Sequence, residues 1–81
     1  MNSYCLKLER HYSGLMAAHF PDFPDVIVLG RDHAEARELA VEALKSELQS
    51  QLRDTGKLPM PKEQGRLYVI VSAAQDGIQI D

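Results

Sequence analysis

Tryptophan is absent from this 81-residue sequence, cysteine occurs once, and aromatic residues make up only 6% of it. A lone cysteine, Cys5, cannot form an intrachain disulfide, so packing and hydrogen bonds must hold the fold. No 18 apolar residues run together, which excludes a membrane-spanning helix. The first residues alternate polar and apolar and lack the apolar core and cleavage-like end of a secretory leader. These absences read as a cytoplasmic protein. A basic surplus is missing too: 9 Lys and Arg stand against 12 Asp and Glu, for a net charge of −3. Nucleic-acid affinity comes mostly from Lys and Arg on phosphates, so direct DNA or RNA binding is disfavoured, while a basic partner would suit. There is no Gly-x-Gly-x-x-Gly, P-loop or Gly-x-Ser-x-Gly pattern, so phosphate cradles and hydrolase elbows have no support.

What is present is 44% hydrophobic residues in a chain short enough to leave little room for a second module. A domain of this size buries only about 60% of the surface its unfolded form exposes. Its own core is marginal, and a homo-oligomer (dimer or tetramer) or a complex is expected.

The alternation in residues 3–10 predicts a half-buried strand with Tyr4, Leu6 and Leu8 on one face and Cys5, Lys7 and Glu9 on the other. Residues 11–14 have the composition of a hairpin loop, and residues 15–20 make a second strand with Met16, Ala18 and Phe20 sharing a face. In residues 21–25, two prolines remove ladder donors and aspartates favour turns, predicting a rigid connector before a third strand at 26–29, which Gly30 ends. Asp32 precedes Glu35 by three residues, a capping arrangement that starts a helix. Ala36, Ala40, Ala43, Leu44, Leu48 and Leu52 recur at three- and four-residue steps, and Gly56 with Pro59 supplies the stop. The helix should cover 33–55, about 34 Å long at 1.5 Å per residue. Residues 58–65 read as a proline-stiffened linker, and residues 67–71 as a strand apolar on both sides. Residues 77–80 read either as a short further strand or as a tail.

The resulting β-β-β-α-β order predicts an α+β fold, an antiparallel three- to four-stranded sheet with one long helix on one face. Residues 1–61 form the core of one domain, and residues 62–81 complete it or mediate association. The doubly apolar strand makes Tyr68, Val69, Ile70 and Val71 the expected oligomer interface.

Little points to chemistry. His11, His19 and His33 show no His-x-x-x-His spacing. Cys5 with His19 on the neighbouring strand has the elements of a thiolate and base pair, although a small strand cysteine ordinarily packs. Asp22, Asp25, Asp32 and Glu35 cluster in sequence as cation ligands would, yet turns and capping account for all four. No catalytic residue, metal or cofactor is expected. Residues 21–25, with the turn Asp22-Phe23-Pro24-Asp25, are different: two prolines and an aromatic fixed beside two acids make a stiff, negatively charged knob that costs little entropy on binding.

In order and spacing, the string Phe20-Pro21-Asp22-Phe23-Pro24, a short strand ending in Gly30, Glu35-Ala36 opening a helix with Ala40, Ala43 and Leu44, then Gly56 and Pro59-x-Pro61 resembles the HicB antitoxin family. The match spans about residues 4–61. The resemblance implies a degenerate RNase H-like fold and a binding function without catalysis: HicB proteins neutralise small basic HicA toxins, which cleave messenger RNA. An acidic antitoxin would occlude the RNA-binding and active surface of such a toxin, acting as a ribonuclease inhibitor in a toxin-antitoxin pair. Asp22, Phe23, Pro24 and Asp25 are the candidate contact. Asp25 stands where the family usually has glycine, and Arg31-Asp32 replace an acid followed by Thr or Ser. Many HicB proteins continue into a DNA-binding module, whereas 20 residues follow Pro61, so no separate DNA-binding domain is expected. The alternative reading is an orphan HicB-like oligomerisation or interaction module without a toxin. A metal-dependent nuclease, drawn from the RNase H-like shape alone, is a third.

Overall fold

The computed structural model describes residues 2–74 and 77–80. The chain runs β1 (Asn2–Arg10), β2 (Met16–Phe20), β3 (Phe23–Gly30), α1 (His33–Thr55), β4 (Leu67–Ala74) and β5 (Gly77–Ile80). All neighbours pair antiparallel in one five-stranded sheet of order β3-β2-β1-β4-β5. The α+β architecture is as expected, with one strand beyond the three or four anticipated. The addition is β5, where Ile78 lies opposite Ala73 and is buried. A free tail would leave that apolar area in water.

Helix α1 matches its expected bounds because both ends are chemically marked. Asp32 Oδ1 accepts from the Glu35 N–H at 2.8 Å, and Gly56, at φ 78°, donates its N–H to the Leu52 carbonyl at 2.8 Å. The Glu35 carboxylate reaches back to the Arg31 N–H at 3.0 Å, one residue before the cap. Ala36, Ala40, Leu44 and Leu48 are fully buried in a core shared with Tyr4, Leu6, Met16, Ala18 and Phe20 of the first two strands and Val69 and Val71 of β4. Alanines in the first half of the stripe let the helix come close. At Gly30 the approach leaves no room for a side chain: a Cβ there would lie 2.5 Å from the Ala36 nitrogen.

The third strand begins earlier than the sequence predicts. The turn is confined to Pro21-Asp22, and β3 starts at Phe23. Phe23 is buried with its ring edge-on to Tyr4, centroids 5.1 Å apart. That burial prevails because β3 is an edge strand, where the N–H that Pro24 lacks need not serve the ladder. The ladder is broken there: Phe20 pairs with Phe23 but His19 with Ile27, so Pro24, Asp25 and Val26 bulge without partners opposite.

Strand β1 belongs to both halves of the sheet. Asn2–Leu6 pair with β4, and Lys7–Arg10 pair with β2. The linker between α1 and β4 is tied beside this changeover: Tyr4 Oη donates to the Pro59 carbonyl at 2.7 Å, and Asp22 Oδ1 accepts from the Lys62 and Glu63 N–H groups at 3.0 and 3.2 Å. Gly65 then lies against Cys5, so close that a Cβ would stand 2.6 Å from Sγ. Tyr4 faces the helix and Cys5, one residue on, faces away. The linker therefore crosses β1 on the outer face of the sheet, and Cys5 is fully buried beneath it.

Candidate partner-binding surface

The four residues of the acidic turn have separate situations. Phe23 is 5% exposed and belongs to the core. Asp22 is half-buried, with Oδ1 engaged by the linker and Oδ2 buried without a hydrogen-bond partner. Pro24 and Asp25 are exposed, on the bulge of β3. The outward part of the knob is thus Pro24 and Asp25, stiffened by the buried aromatic before them.

The β4 residues divide by alternation. Val69 and Val71 are fully buried under the helix, while Tyr68 and Ile70 are 40% and 38% exposed on the outer face. Tyr68 also accepts the Gly65 N–H on its hydroxyl at 2.9 Å, so it buttresses the linker crossing. At the other edge, Ile27 and Leu29 of β3 are 62% and 41% exposed. They share the outer face with Ala17 and His19, their register partners on β2. Val26-Ile27-Val28-Leu29 is apolar on both sides just as residues 67–71 are, and that was the signal for this second exposed pair. The outer face carries apolar side chains at both flanks of the linker crossing.

The titratable side chains that make hydrogen bonds do so at separate places. His19 Nε2 is 3.3 Å from Glu9 Oε1, and His11 Nδ1 is 2.7 Å from Ser13 Oγ. Asp32 caps the helix and Glu35 holds Arg31 at 2.7 Å, an exposed pair that lowers the Glu35 carboxyl below its ordinary value and raises the Arg31 guanidinium. Burial pushes the Tyr4 hydroxyl up; the Asn2 hydrogen bond opposes this and the Asp22 charge adds to it. The acids adjacent in sequence are spent separately: Asp22 on the linker, Asp32 on the helix and Glu35 on Arg31. Among the described residues no three His, Cys, Asp or Glu side chains gather as a metal-binding group. Cys5 lies under Gly65, whereas His19 turns to Glu9. Among the described residues no helix is long and apolar enough to cross a membrane.

Fold and surface define an α+β domain in which one helix closes one face of a five-stranded antiparallel sheet and leaves the other with exposed apolar side chains. No family model and no solved structure matches the sequence. Antitoxin HicB 1 of Photorhabdus laumondii is 34% identical over 68 residues, which make up 84% of this chain and 44% of that protein. The chain is thus similar over most of its own length to a HicB antitoxin. It spans less than half the length of this relative.

Proposed function

We propose that this protein is an antitoxin that neutralises a small basic HicA-like ribonuclease by binding it and covering its RNA-binding surface. The observation that carries this reading is the 34% identity to Antitoxin HicB 1 over most of the chain. Two surface features support it. Pro24 and Asp25 project from a stiff bulge, and Asp25 brings negative charge to a basic partner. The outer-face residues Ile27 and Leu29 on the same strand add apolar area next to that charge. Long-range attraction between an acidic binder and a basic toxin speeds encounter and weakens as salt screens it. The protein acts by occupancy in the cytoplasm, with no chemistry of its own.

The test is to co-express this chain with the small basic protein that co-purifies with it at low salt. Growth arrest by that protein should be relieved by the wild-type chain and less well by Asp25→Lys, with association slowing as salt rises. Relief that is absent, or association that ignores salt, removes the reading.

A second reading is an orphan module that associates with itself, favoured by the exposure of Tyr68 and Ile70. Val69 and Val71 are core residues, so the informative substitution is Ile70→Lys. It should convert an oligomer to a monomer while leaving the helical circular dichroism intact. An unchanged mass excludes this face.

A further inference from the structure

The changeover on β1 leaves a slot in the sheet. Beyond Leu6 no strand among the described residues lies on the β4 side of β1, because β4 begins at Leu67, opposite Leu6. In a strand, successive residues aim their N–H and C=O groups to opposite sides. Alternate residues of Lys7–Arg10 therefore offer both groups to the empty side while their neighbours pair with β2. Backbone groups left open in this way are a template for a further strand. No backbone hydrogen bond joins Lys7–Arg10 to the linker among the described residues.

A cavity of about 510 Å³ occupies this place, between β1 and the end of the linker. Leu6, Leu8 and Leu67 line it, and Leu67 is 47% exposed for want of a neighbour. Lys7, Arg66 and His33 line it as well. Among the described residues neither Lys7 nor Arg66 has a carboxylate partner, and the one acid in the lining, Glu9, turns to His19 at 3.3 Å. The slot thus has a cationic rim in a chain whose net charge is −3.

From the open ladder, the leucines and the unpaired cations together, we infer that this slot binds an extended peptide segment with alternating apolar and acidic residues. Its backbone continues the line of β4 alongside Lys7–Arg10, its apolar side chains cover Leu8 and Leu67, and its carboxylates face Lys7 and Arg66. Main-chain pairing supplies affinity, and alternate side chains supply selectivity. The wrong sign of charge separates this occupant from a basic toxin, so the inference stands whether or not the toxin reading does.

The probe is the blocked peptide acetyl-Val-Glu-Val-Glu-Val-amide, titrated into the isotopically labelled full chain at concentrations up to about 1 mM, the range of a weak single-strand contact. The expected result is shifts of the Lys7–Arg10 and Leu67 amides, with slowed hydrogen exchange at alternate residues of Lys7–Arg10. Arg66→Glu, at an exposed position, should weaken binding about fivefold, the scale of one exposed ion pair. The peptide with Lys in place of both Glu residues should bind more weakly to the wild type and recover on Arg66→Glu. Absence of shifts at Lys7–Arg10, equal binding of the Glu and Lys peptides, or shifts centred on Ile27 and Leu29 would each overturn the inference.

Discussion

Replacing Gly65 with alanine tests the crossing of the linker over Cys5 of β1. The new methyl group would stand 2.6 Å from Cys5 Sγ, well inside an ordinary contact. Both segments there are constrained: Cys5 of β1 is fully buried and the Gly65 N–H of the linker is held by Tyr68. Overpacking of this kind costs about 1–3 kcal/mol. In a chain of this size each kcal/mol moves Tm by roughly 4–8 °C. The instructive comparison is the same change in a Cys5→Ala background. Removing Sγ costs about 1 kcal/mol by itself, as a small core deletion does. It also removes the atom with which the methyl collides. Gly65 does not have a left-handed φ, so alanine there would then keep only its effect on the unfolded chain, a gain of about 0.4–1 kcal/mol. Gly65→Ala should therefore destabilise the wild type and be neutral or slightly stabilising beside Cys5→Ala. Urea denaturation of the four proteins, read as midpoints at constant slope, measures the coupling. Additive effects would refute the crossing of Gly65 over Cys5.

Gly30→Ala should cost more than Gly65→Ala, because its methyl would meet the Ala36 backbone nitrogen and Cα at 2.5 and 2.7 Å and no side chain can rotate away; a melt shifted less than that of Gly65→Ala would contradict this. Asp32→Ala removes the acceptor for the Glu35 N–H and should lose about 1 kcal/mol in denaturant titration, with Asp32→Asn close to wild type. Glu35 has its pKa lowered from 4.5 by its hydrogen bonds to Arg31, so its contribution is present above the unfolded value and lost as pH falls through the folded one. The stability difference between wild type and Glu35→Gln should accordingly be seen at neutral pH and vanish in acid, and a difference that grows in acid would have the wrong sign.

Where the sequence was legible, the physics was local. Asp32 and Gly56 mark the helix ends by their own hydrogen bonds, and the alanine and leucine stripe announces which face is buried. The β1 and β2 alternation likewise shows which residues meet the helix. What was not legible depends on meetings between distant segments. The early start of β3 follows from Phe23 packing on Tyr4, and the composition of residues 21–25 alone favours a connector. Cys5 alternates with Lys7 as an outward residue does, yet it is buried, with Gly65 passing against it and Tyr68 opposite it on β4. Asp22 reads as a turn residue, but its second task, holding Lys62 and Glu63, spans 40 and 41 positions in the chain. The candidate contact was legible as a stiff acidic feature. Its division into buried Phe23, engaged Asp22 and outward Pro24 and Asp25 required the fold. On β4 the apolar run was legible, while the split between core valines and outward Tyr68 and Ile70 required knowledge of which face the helix covers.

The most direct test of the antitoxin reading is a titration of the co-purifying basic protein's ribonuclease activity with this chain at low salt, followed by gel electrophoresis of a messenger RNA substrate. The account predicts that cleavage falls linearly to zero at a fixed molar ratio and returns when the complex is dissociated. Cleavage that continues undiminished in the presence of excess chain would contradict it.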